Sequence, residues 1–73
     1  MKTIDKLIMM ANQIAANLAH EPDPAMATAE HIRLFWDSGM RRSILENGNE
    51  GLSPTAEAAV VRLAAPSTSA AQD

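Results

Sequence analysis

His31-Ile32-Arg33-Leu34-Phe35-Trp36-Asp37-Ser38-Gly39-Met40-Arg41-Arg42 lies near the middle of the chain and carries its one phenylalanine and its one tryptophan. The flanking sequence is built from smaller side chains. Phe35 and Trp36 are the largest apolar surfaces available, each worth roughly 1.5–3 kcal/mol when fully buried. They are expected to be covered, either by the chain's own helices or by a partner. The stretch also punctuates the fold. A helix-period pattern runs into it and stops at Asp37-Ser38-Gly39, where Asp37 or Ser38 can cap a new short helix from Met40 to Asn47. Gly39 is expected to supply a backbone conformation that other residues resist. Met40, Ile44 and Leu45 give the new helix its apolar contacts.

Upstream, residues 24–36 read as a helix. Asp23 is a good N-cap, and Pro24 suits the first helical position. The main stripe is Ala25, Thr28, Ala29, Ile32, Phe35 and Trp36, small at its start and large at its end. Leu34 projects roughly opposite, near Ala27 and His31. A helix apolar on two faces touches two things. Before Pro22, residues 3–20 form an amphipathic helix. Ile4, Leu7, Ile8, Ala11, Ile14, Ala15 and Leu18 follow the i, i+3, i+4, i+7 spacing, and Thr3 is placed to cap it. Met10 borders this stripe and Met9 points away. Asn12 lies beside it, where a buried amide needs partners, so a backbone-clamping role is expected.

Downstream, Asn47-Gly48-Asn49-Glu50-Gly51 is a loop. Ser53-Pro54 then opens a last helix with a thin stripe of Ala56, Ala59, Val60 and Leu63. Pro66 ends the regular part, and residues 66–73 have the composition of a flexible, disordered tail. The expected fold is all-α: a small bundle of three to four short helices over residues 1–65, followed by that tail.

The whole-chain numbers narrow the function. Seventy-three residues allow one domain, near the limit for folding alone. The hydrophobic fraction of 47% includes much alanine, which closes helix interfaces but contributes little transfer energy, and aromatics are only 3%. This favours an obligate subunit over a free-standing protein. The formal net charge of −3 argues against nucleic acid, whose binding needs a basic face. No apolar run approaches the ~18 residues needed to cross a bilayer, and no secretory signal is evident. No membrane association is expected, and the cytoplasm is the expected compartment.

Little in the sequence suggests chemistry. There is no cysteine, hence no thiolate metal site. The two histidines, His20 and His31, lie in different segments without a ligand cluster. His31 reads as a structural or interface histidine. Gly48 and Gly51 make no phosphate loop, and no base is arranged to activate a serine or threonine. No catalytic, cofactor-binding or metal-ligating residue is expected. The best polar candidates are Arg41 and Arg42, beside Met40 and Trp36, because arginine next to an aromatic is what interface hot spots favour.

Three segments resemble a known family. Met10-Ala11-Asn12-Gln13-Ile14-Ala15 is similar to its Met-Ala-Asn-Gln-Ile-Ala signature. His31-Ile32-Arg33-x-Phe35-Trp36-Asp37-x-x-Met40-Arg41 resembles its His-Ile-x-x-Phe-Trp-x-Pro-x-Met-Arg signature. Gly51-Leu52-Ser53-Pro54 is similar to its Gly-Leu-x-Pro segment. The family is the delta subunit of cytoplasmic NAD-dependent formate dehydrogenases, the molybdenum- or tungsten-containing multisubunit kind. The three segments are in register, and the resemblance covers residues 4 to 65. Ser38-Gly39 stands where the family has Pro-Arg.

The resemblance implies a non-catalytic accessory subunit. Its partner would be the large catalytic subunit that holds bis-molybdopterin guanine dinucleotide and iron–sulfur clusters, whose stability or cofactor maturation it would support. Indirect partners would be the flavin (FMN), NADH-binding subunit and the small iron–sulfur subunit. Formate oxidation to carbon dioxide, with electrons passed to NAD, would belong to those chains, and this one would hold no cofactor. The expected partner interface is Asn12, Gln13, Leu34, Phe35, Trp36, Met40, Arg41 and Arg42. Phe35, Trp36 and Met40 either fill the core or anchor the interface, while Arg41 and Arg42 hold the partner's polar groups. The alternative reading is a free-standing homodimeric helical regulator or chaperone pairing through the alanine-rich stripes. A helical DNA-binding regulator comes third, disfavoured by charge.

Overall fold

The computed structural model describes residues 3–64. The expected tail, residues 66–73, lies outside the described residues. Four helices follow in order: α1 Thr3–Asn17, α2 Pro24–Phe35, α3 Ser38–Asn47 and α4 Pro54–Ala64. No strand occurs among the described residues, and the fold is all-α as the periodicity predicts.

Each boundary has a local cause. Thr3, expected as a cap, is instead the first residue of α1. That helix ends at Asn17, three residues short of the expected His20. Pro22 disfavours helical backbone at Glu21, so the chain sheds the helix through a tight turn. The Ala19 N–H donates to the Ala16 carbonyl at 3.3 Å and the Glu21 N–H to the Leu18 carbonyl at 3.0 Å.

Asp23 then caps α2, its Oδ1 accepting from the Met26 N–H at 3.2 Å, with Pro24 at the first helical position. At the far end the Trp36 backbone is extended (φ −93°, ψ 142°), although its N–H still closes the last turn onto the Ile32 carbonyl. Asp37 caps α3, accepting from the Met40 N–H at 2.8 Å. Ser38 therefore opens α3 two residues before the expected start. Gly39 lies inside α3, and its φ is not positive. The glycines that do take positive φ are Gly48 (76°), which closes α3, and Gly51 (80°). A Cβ at Gly51 would also stand 3.2 Å from Ile8 Cγ2, so glycine is required there for both conformation and space. Ser53 Oγ accepts from the Ala56 N–H at 3.3 Å and starts α4.

The core lies between α1, α2, α3 and α4. It centres on Leu7 and Ala11, Ile32 and Trp36, Ile44 and Val60. Helices α2 and α4 share the most extensive interface. Ala29, Ala56 and Ala59 are fully buried, and such small side chains let helix axes approach closely. Thr28 is also fully buried, and its hydroxyl oxygen has no hydrogen-bond partner among the described residues. The far ends are tied by Arg62 of α4, whose Nη1 donates to Asp23 Oδ2 at 3.0 Å. The bond from Arg62, with the Met26 N–H beside it, holds the Asp23 carboxyl below its ordinary pKa.

Phe35 departs from the expected stripe. It is 71% exposed, while Trp36 is 4% exposed. Where a helix gives way to extended backbone, consecutive side chains point apart, and only one of two adjacent aromatics can turn inward. The turn at Trp36 sends the indole into the core and leaves the Phe35 ring outside.

Candidate protein interface

Helix α2 ends in the two most exposed large apolar side chains of the described residues. Leu34 is 73% exposed and stands beside the exposed Phe35. His31, one turn earlier and half-buried, stacks on the Phe35 ring with centroids 4.6 Å apart and planes tilted by 37°. This contact holds the phenyl ring against its own helix. Charged groups border the pair. Arg33 donates to Glu30 at 2.6 Å across one helical turn.

Arg41 makes hydrogen bonds within the chain. Its Nη1 donates to the Arg33 carbonyl and to the Trp36 carbonyl, both at 3.0 Å. Helix C-termini leave carbonyls without intrahelical partners, and a guanidinium there satisfies them and matches the negative end of the helix dipole. Arg41 therefore fastens the first turn of α3 under the last turn of α2. Arg42, the next residue, is exposed and makes no hydrogen bond or ion pair among the described residues.

The other expected residues divide by position. Trp36 is a core residue, and Met40 is half-buried against that core. Asn12 clamps backbone as expected. Its Nδ2 donates to the Gly51 carbonyl at 3.0 Å, and its Oδ1 accepts from the Ser53 N–H at 2.8 Å. Gln13 is exposed on α1 and donates to the Asn17 side chain at 3.2 Å. Thus Leu34 and Phe35 end α2, Arg41 ties that end to α3, and Arg42 follows on α3, while Asn12 and Gln13 belong to α1.

Two features escaped the sequence reading. The Asp23–Arg62 pair joins residues 39 apart, and no local pattern signals it. An open groove lined by Ile4, Ile8, Met9, Asn47, Glu50 and Gly51 lies between α1 and the α3–α4 loop. Its walls are likewise distant in sequence. Among the described residues, no group of three or more His, Cys, Asp or Glu is placed to hold a metal ion. No described helix is long and apolar enough to cross a membrane.

Residues 6–60 match the family model of the NADH-dependent formate dehydrogenase delta subunit, FdsD. No curated protein and no solved structure matches the chain. The match spans well over half of the 73 residues, and the chain belongs to the FdsD family.

Proposed function

We propose that this FdsD-family chain is a non-catalytic accessory subunit that docks on the large molybdopterin and iron–sulfur subunit of a cytoplasmic formate dehydrogenase. There it supports that subunit's stability or cofactor maturation. The observation that carries the docking role is the outward pair Leu34 and Phe35, 73% and 71% exposed in a bundle that buries its only tryptophan. Exposed apolar side chains of this size, bordered by arginine, are what protein interfaces use as anchors. In this reading Leu34, Phe35 and Arg42 meet the partner. Trp36, Met40 and Arg41 shape the corner from behind, and Asn12 holds the α3–α4 loop. Gln13 is a peripheral contact at most.

The side chains here do not fit an iron–sulfur cluster or a molybdenum centre, because the chain lacks cysteine and gathers no other ligand set among the described residues. Bis-molybdopterin guanine dinucleotide, the clusters and FMN are therefore assigned to other subunits. So is the transfer of electrons from formate to NAD.

The test is recovery of the tagged full-length chain from its native cytoplasm, with mass spectrometry, metal analysis and a formate:NAD assay. The expected result is stoichiometric recovery of a large molybdenum- or tungsten-containing subunit with activity. A lone, metal-free homo-oligomer would overturn the proposal.

A further inference from the structure

We propose that Asn47-Gly48 is a site of spontaneous covalent modification, where the Asn47 side-chain amide leaves as ammonia, and that the closing turn of α3 holds the reaction back until it opens. The proposal is independent of the docking role above. Asparagine is a chemically labile residue, and the residue that follows it decides how labile. The main-chain nitrogen of that next residue, once it has lost its proton, attacks the side-chain carbonyl carbon. A new C–N bond closes a succinimide ring, and the bond to the side-chain nitrogen breaks to release ammonia. Water then adds to either ring carbonyl and opens the ring, giving aspartate or isoaspartate. The balance is a water consumed and an ammonia released, with no change of oxidation state. A side chain on the following residue crowds the attack, and glycine has none. The asparagines of the chain are Asn12, Asn17, Asn47 and Asn49, and Asn47 alone precedes a glycine. Gly48 is exposed, with nothing within 4 Å of the place where a Cβ would stand, so water reaches the ring.

The fold occupies both reacting groups. Asn47 is the last residue of α3, half-buried, and its Nδ2 donates to the Glu50 carbonyl at 3.0 Å. The Gly48 N–H, whose proton must go, donates to the Leu45 carbonyl at 3.2 Å. Ring closure needs both bonds broken. Helix ends open at far lower cost than the whole fold, so the last turn of α3 gates the reaction. The product then fits the place less well than Asn47 does. A carboxylate cannot donate to the Glu50 carbonyl, and it adds negative charge at the negative end of the α3 dipole. It also joins a groove that Asp5 and Glu50 already line. Isoaspartate lengthens the main chain by a methylene, just ahead of the segment that Asn12 clamps at Gly51 and Ser53.

The experiment incubates the full-length chain at neutral and mildly alkaline pH, folded and in denaturing urea. Peptide mass spectrometry in isotope-labelled water follows each asparagine, with fragmentation that separates isoaspartate from aspartate. Asn49, exposed in the same loop and followed by Glu50, is the internal control. In urea Asn47 is expected to react at least tenfold faster than Asn49, faster still at the higher pH, with isoaspartate among the products. Folding is expected to slow Asn47 at least tenfold while leaving it ahead of Asn49. Equal rates at Asn47 and Asn49, in either state, would overturn the site. An Asn47 rate that folding leaves unchanged would overturn the restraint by α3. Asn47→Asp, which carries the direct product, is expected to unfold at a lower urea concentration than wild type. An equal or higher midpoint would overturn the poorer fit assigned to that product.

Discussion

Phe35 and Trp36 are neighbours in sequence with opposite fates, the first 71% exposed and the second 4% exposed. The backbone at Trp36 leaves the helix and turns its indole into the core, and Arg41 holds that turn by its two carbonyl bonds. The stability and binding roles of the aromatic pair are thereby separated onto adjacent residues.

Trp36→Ala is expected to cost about 3–5 kcal/mol, the usual loss for a buried aromatic. For a domain this small that is a large share of the whole stability. Phe35→Ala is expected to stay within about 1 kcal/mol of wild type, losing chiefly the stack on His31. Urea melts followed by circular dichroism distinguish the two. Equal losses would contradict the assignment.

Asn12→Ala removes both ends of the clamp on Gly51 and Ser53. The predicted cost is about 1–3 kcal/mol, because the part-buried Ser53 N–H loses its acceptor. Amide hydrogen exchange at Ser53 should accelerate well beyond that at the centre of α2. Asn12→Asp keeps the acceptor but sets a carboxylate against the Gly51 carbonyl, and should be no better than alanine.

Thr28→Val replaces a buried, unbonded hydroxyl with a methyl group of similar size. The hydroxyl was desolvated without compensation, so the variant should gain up to about 1 kcal/mol. A raised Tm in thermal melts is the expected reading, and a fall of several degrees would mean the hydroxyl has a partner.

The Asp23 carboxyl lies below its ordinary pKa of 3.8, first because Arg62 bonds to it. Its folded pKa is depressed, so its contribution is fully present above the unfolded value and is lost as pH falls through the folded one. Asp23→Asn keeps a capping side chain but loses the ion pair. The variant should be slightly less stable than wild type at pH 7, with the difference vanishing in acid and shrinking in salt. Urea midpoints at several pH values check this, and a difference that grew on acidification would refute it.

What could be foreseen followed the range of each interaction. Caps act within three residues, and Asp23-Pro24 and Ser53-Pro54 were legible in the sequence, with Asp37 one of two candidates for the α3 cap. The buried faces of α1 and α4 followed from spacing alone, and so did Leu34 opposite the core. Asn12 was legible too, because an amide beside an apolar stripe must find backbone to bond. Phe35 was misplaced because the side on which it ends depends on where the helix stops, which one residue decides. Gly39 was misread because a glycine near a helix start looks like one that breaks a helix. The division of labour between Arg41 and Arg42 is a matter of which guanidinium reaches the end of α2, and adjacent identical residues carry no signal of that.

The two longest clasps, Asn12 to Gly51 and Ser53 and Asp23 to Arg62, both wait for the last third of the chain. Synthesis runs from the first residue to the last. When α1, α2 and the Phe35 patch have already left the ribosome, neither clasp has yet been made. The newborn chain therefore presents its apolar stripes before it can close over them, and α4, the last of the described helices to emerge, is the one that latches the bundle shut.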